Sequence, residues 1–108
     1  MVVINFRGLG GAELATPKLH NYGAWEDALE PMTYVYERYC KHQNRKAFAI
    51  GLSMGGNILA NLAGNQGHDC FLSACCFVEP PIKISECVLA IGTNFFGIYD
   101  KALGDELN

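Results

Sequence analysis

The stretch AFAIGLSMGGNILANL, residues 47 to 62, constrains this chain more than any other. An apolar run ends in Gly51-Leu52-Ser53-Met54-Gly55 and passes without a spacer into a helical pattern, with Met54, Ile58, Leu59 and Leu62 on one face. A chain passes from strand to helix around one residue only through a sharp turn. The side chain at that residue is held outward, and small neighbours are needed to keep bulk away from it. G-x-S-x-G in this setting reads as the mount of a nucleophilic serine. Gly51 and Gly55 stand two residues before and two after Ser53, where they would let strand and helix close around it. Ser53 is expected at the carboxyl end of its strand, where open α/β sheets bind ligands. It also starts the next helix, where the Met54 N–H and the helix dipole can meet a developing oxyanion.

The flanking segments read in the same alternation. VVINF (2–6) predicts a buried strand, followed by the Arg7-Gly8-Leu9-Gly10-Gly11 loop. From Ala24 to Cys40, apolar Trp25, Ala28, Leu29, Met32, Val35, Tyr36 and Tyr39 predict an amphipathic helix. Pro31 predicts a kink in it, or a helix that begins only at Glu30. KAFAI (46–50) predicts the second strand, and Met54 to Ala63 the second helix, with Gly64 as terminator. CFLSACCFV (70–78) predicts a third buried strand stopped by Pro80-Pro81, and Ile84–Ala90 and Phe95–Leu103 predict short helices. The order is that of an α/β protein: parallel strands with flanking helices on both faces, a three-layer αβα arrangement within one domain over residues 1–108.

Composition narrows the classes. Of 108 residues, 50% are hydrophobic and 18% charged, which is globular rather than disordered. A net charge of −3, with no basic run longer than Arg45-Lys46, argues against a nucleic-acid surface. The five cysteines (Cys40, Cys70, Cys75, Cys76, Cys87) are an odd number without C-x-x-C spacing. They read as free thiols, which favours a reducing compartment, cytoplasmic or membrane-associated. The longest apolar stretch, CVLAIGTNFFGIY (87–99), is too short to span a membrane. The glycine loop has neither G-x-G-x-x-G nor a following Lys-Ser/Thr, so it is no phosphate cradle.

The GLSMGGN core and its surroundings resemble the α/β-hydrolase superfamily, in particular the branch of abhydrolase-domain esterases and acylglycerol lipases. VVINFRGLGG is similar to that branch's fourth strand and Arg-Gly loop. HNYGAWEDALEPMTYVYERY resembles the following helix, with its Gly-x-x-Glu-Asp entry at Gly23 to Asp27. AIGLSMGGNILANLAG resembles the elbow and its helix, including Gly55-Gly56-Asn57. SACCFVEPPIKISEC resembles the sixth strand and the proline after it. The resemblance implies a partial, central segment of such a domain, from the fourth strand through the sixth strand and the start of a lid region.

It further implies Ser53 as catalytic nucleophile, the Met54 N–H as oxyanion donor, and Gly51, Gly55 and Gly56 as elbow support. The implied substrate is a short- or medium-chain acyl ester or monoacylglycerol, hydrolysed without metal or cofactor, with peripheral membrane contact. Phe95, Phe96 and Tyr99 read first as a plain amphipathic helix facing the sheet, and second as part of a lid that contacts acyl chains. Family order puts an acid and then a histidine after the serine. After Ser53 the chain offers His68, with Asp69, Asp100 and Asp105 as acids. His68 lies past the far end of the helix that Ser53 begins, beyond the reach of a general base. His42 ends the first helix on that same edge, and His20 lies in a loop on the Ser53 side. Asn57 reads as helix-face polarity or as support for the elbow, and Arg7 and Asp27 as an architectural pair. The family's third strand would lie between VVINF and KAFAI, so its absence predicts a gap or unpaired backbone. Two functions follow: a serine esterase segment, acting by hydrolysis or acyl transfer, and a non-catalytic remnant or binding module.

Overall fold

The computed structural model describes residues 1–11 and 13–106. Its elements are α1 (Glu26–Tyr39), β1 (Phe48–Leu52), α2 (Met54–Gln66), β2 (Ala74–Val78), α3 (Ile84–Thr93) and α4 (Ile98–Glu106), with single 3₁₀ turns at Lys41–Gln43, Gly67–Asp69 and Asn94–Gly97. β1 and β2 pair in parallel, from Phe48 opposite Ala74 to Leu52 opposite Val78. The crossover between them is α2, so this is the α/β arrangement that the sequence predicts.

Two helices differ from expectation for local reasons. α1 begins at Glu26 and runs through Pro31. Proline there removes a single backbone bond, and the amphipathic face around it holds the helix together. α2 continues through Gly64 to Gln66 and ends where Gly67 takes a φ of 52°. Glycine inside a helix costs only about 1 kcal/mol against alanine, whereas the left-handed conformation stops it.

The first predicted strand is absent: residues 2–6 take no regular secondary structure and pair with no strand, and Val2 and Val3 are exposed. A strand needs a neighbour for its N–H and C=O groups, and the described residues provide none beside this segment.

The core lies between the two helices on one side of the sheet. Ala28 of α1 packs on Ile58 and Leu62 of α2, which are 1% and 0% exposed, and Phe6, Trp25, Leu29, Met32, Met54 and Leu72 pack around them. Tyr36 and Phe71 stack with centroids 4.8 Å apart, closing one end. The other face of the sheet is open: Phe48, Ile50 and Leu52 are 67%, 73% and 65% exposed. Cys76 and Val78, in register with Ile50 and Leu52, are exposed as well. β1 therefore alternates covered and uncovered positions, β2 is exposed at every position but Cys75, neither strand is buried on both faces, and no described helix is seated over this side. α3, the Asn94–Gly97 turn and α4 pack on one another and not on the sheet.

The surface area reflects this. The chain exposes 8375 Å², against roughly 5,900 Å² for a folded monomer of its mass. Its radius of gyration is 16.1 Å, against about 13 Å for a compact domain of this length.

Candidate active site

β1 runs two residues further than the sequence predicts and ends at Leu52, so Ser53 is the only residue between strand and helix. Its backbone sits at φ 50°, ψ −120°, a conformation costly for a residue with a Cβ. Its N–H donates to Val78 O at 2.9 Å, which extends the β1–β2 pairing to the turn itself. Its carbonyl accepts from Asn57 N–H at 3.1 Å and opens the α2 ladder. The side chain is exposed and makes no capping bond, so the hydroxyl stands free at the N-terminus of a 13-residue helix. Met54 is the first residue of that helix, and its N–H belongs to the first turn, whose donors have no intrahelical acceptor.

The glycines divide unevenly. A Cβ on Gly51 would lie 2.7 Å from Gly56 Cα and would also collide with the Gly55 carbonyl. A Cβ on Gly56 would lie 2.9 Å from Gly51 O and 3.3 Å from Pro80 Cβ. Gly55 differs: a Cβ there would meet nothing within 4 Å. The close approach of strand and helix is thus made at Gly51 and Gly56. Gly55 contributes its backbone and not its lack of a side chain.

The histidines are dispersed. His20 Nδ1 lies 3.3 Å from Arg7 O, and its ring stacks on Phe6 with centroids 6.0 Å apart. His42 lies in the turn after α1, beside Tyr34, Glu37 and Arg38. His68 and Asp69 lie in the turn past the distal end of α2, on the order of 20 Å from Ser53 along the helix. Asp100 and Asp105 are on α4. Among the described residues no histidine shares a hydrogen bond with Ser53. One acidic residue not considered from the sequence is Glu79. It leaves β2 at the register position corresponding to Ser53 on β1, with φ 47°. Only the pairing of the two strand ends, 26 residues apart, could have pointed to it. All five cysteines are free; Cys76 is exposed, and partial burial, then Cys70, pushes the Cys75 thiol up.

Arg7 and Asp27 form an ion pair that ties the N-terminal loop to the first turn of α1, with Nε donating to Oδ2 at 2.6 Å. The hydrogen bond from Arg7, and then its charge, holds the Asp27 carboxyl below the usual carboxylate range, against the opposing effect of burial. A lowered folded-state value stabilises the fold above the unfolded value of about 3.9 and is lost as pH falls through the folded one. Arg7→Gln is expected to return the Asp27 titration, followed by carboxyl NMR, towards 3.9. An unchanged midpoint would show that the pair does not set it.

Likeness to known proteins agrees with this arrangement. The chain is 28% identical over 102 residues to "Putative esterase YheT" of Escherichia coli (strain K12), covering 94% of this chain and 29% of that protein. It is 35% identical over 80 residues to "Protein abhd-3.2" of Caenorhabditis elegans, 74% of this chain and 20% of that one. It is 27% identical over 113 residues to "Monoacylglycerol lipase" of Saccharomyces cerevisiae (strain ATCC 204508 / S288c), 97% of this chain and 23% of that one. No family model matches, and no solved structure matches. The chain spans between 16% and 29% of the length of the curated relatives it matches. These likenesses and the parallel α/β arrangement are consistent with a partial α/β-hydrolase domain. Within that superfamily its likeness is to abhydrolase-domain proteins, esterases and a monoacylglycerol lipase.

Proposed function

We propose that these residues are the nucleophile-bearing segment of a serine esterase acting on short- or medium-chain acyl esters or monoacylglycerols. The observation that carries this reading is Ser53: an exposed hydroxyl on a left-handed turn, between the end of a strand and the first N–H groups of a helix. Ser53 Oγ attacks the ester carbonyl carbon, and the Met54 N–H faces the oxygen on which charge develops. Collapse of the tetrahedral intermediate expels the alcohol, which leaves with the proton taken from Ser53. Water then attacks the acyl enzyme and releases the acid; a second alcohol in its place would give acyl transfer. The chemistry uses no metal or cofactor. The proton carrier is a histidine, oriented by an acid, that the described residues do not bring to Ser53. In this reading residues 1–108 form one incomplete domain, from the fourth strand of the family through the sixth to the start of the lid. Phe96, fully exposed between α3 and α4, and its neighbour Phe95 are the side chains through which such a lid would touch a lipid surface.

A second reading, an inert remnant or binding module, is favoured by the lack of any hydrogen bond between Ser53 and a histidine among the described residues. A fluorophosphonate probe followed by peptide mapping separates the two. The esterase reading expects a slow adduct on Ser53, in preference to Ser73 and Ser85 and lost in Ser53→Ala. Equal adducts on all three serines, or none, would favour the inert reading.

A further inference from the structure

Resting on the reading of Ser53 as the reacting group, we propose that Asn57 is a positioning residue, holding the exit of β2 against the Ser53 turn so that the turn keeps its strained geometry. Asn57 is a polar residue at 9% exposure on a helix that also buries Ile58, Leu59 and Leu62. A carboxamide taken out of water is tolerated when both of its ends are bonded, and a hydrocarbon of the same size would be easier to bury. Both ends are bonded here. Nδ2 donates to Pro81 O at 2.9 Å, and Oδ1 accepts from Asn61 Nδ2 at 3.0 Å.

The partner explains the choice of residue. After β2 the chain turns through Glu79 at φ 47° and enters Pro80-Pro81. Two successive prolines have no N–H, so this stretch can be fastened through its backbone only by its carbonyls. The Ser53 side of the contact offers two donors. Its own N–H takes Val78 O, just before the Glu79 bend, and the Asn57 side chain takes Pro81 O, just after it. The two bonds straddle the bend, while Pro80 Cβ rests where Gly56 lacks a side chain. Ser53 and Glu79, each in a left-handed conformation at the end of its strand, are therefore held by one another's surroundings. Releasing Pro81 leaves the Ser53 N–H···Val78 bond as the remaining backbone tie across the bend, and the turn at position 53 loses its fixed orientation at the start of α2.

The test reads position 53 directly. In Ser53→Cys, the pH midpoint of thiol alkylation, resolved by peptide mass spectrometry, reports how well the helix N-terminus faces that atom. Adding Asn57→Leu, which keeps the branched shape and removes both donor and acceptor, is expected to raise the midpoint by about half a unit or more towards the ordinary thiol value of about 8.5. Asn57→Gln, which keeps a donor, should stay near the parent, and Asn65→Ala, on the same helix but bonded only to Asn61 O, should not move it. A lowered parent midpoint that Asn57→Leu leaves in place overturns the positioning role alone, while an ordinary parent midpoint ends the nucleophile reading and this inference with it. If Asn57→Leu loses its helical circular dichroism, the unsubstituted chain decides. Slow hydrogen exchange at one Asn57 carboxamide proton supports the clamp, and solvent-rate exchange at both overturns it.

Discussion

Gly51→Ala is expected to lose the strand–helix junction, whereas Gly55→Ala, four residues on in the same motif, is expected to be tolerated or mildly stabilising. The difference lies in what each new methyl group would meet. At Gly51 it falls 2.7 Å from Gly56 Cα and against the Gly55 carbonyl. Both obstacles are backbone, so no rotamer change relieves the overlap, and α2 must move off β1. Forcing a methyl group into packed backbone costs about 1–3 kcal/mol or more. That is a large share of the stability of a chain whose buried hydrophobic residues, among those described, are Ala24, Ala28, Ile58, Leu59 and Leu62. At Gly55 the methyl group meets open space within the first turn of α2. Removing glycine's freedom from the unfolded chain then contributes roughly 0.4–1 kcal/mol in favour of the fold. Urea titration followed by far-UV circular dichroism measures both, and equal shifts for the two substitutions would contradict the packing described.

The second large effect is expected from Ser53→Cys. A thiol here experiences opposing influences. Burial would raise its pKa, while the N–H groups at the start of α2 and the helix dipole lower it. Position 53 is exposed, so the first influence is weak, and the second operates at close range from a helix of 13 residues. The net result expected is a fall of about one unit or more from the ordinary value near 8.5. The native cysteines provide an internal scale, because Cys75 lies above its usual range through burial. A shifted thiol at 53 is the property that would serve oxyanion stabilisation in the serine form, since both depend on donors aimed at the same point.

How much of this was legible depended on whether the controlling contacts were local. Residues 48–66 were readable because a strand, a sharp turn and a helix follow one another within the stretch, and Ser53 fell where the pattern put it. Residues 2–6 carry the composition of a buried strand, but a strand exists only through its neighbour, and here it is unpaired. The alternation at Phe48, Ile50 and Leu52 could not reveal that their side of the sheet would stay open, since apolar composition says only what a face requires. Nor could spacing distinguish the glycines. The tight pair is Gly51 with Gly56, where strand and helix cross, and Pro80, from another part of the chain, also closes on Gly56. Asn57 was ambiguous for the same reason: its partner, Pro81, is 24 residues away.

The environment of one atom, the side-chain heteroatom at position 53, decides whether this turn can serve a nucleophile, and the pH titration of Ser53→Cys measures that environment most directly. Alkylation at a series of pH values, resolved peptide by peptide, is predicted to give the introduced thiol a midpoint clearly below about 8.5 and below that of Cys75. A midpoint at or above that ordinary value, or a position 53 that alkylates no faster than the half-buried Cys75, would contradict it.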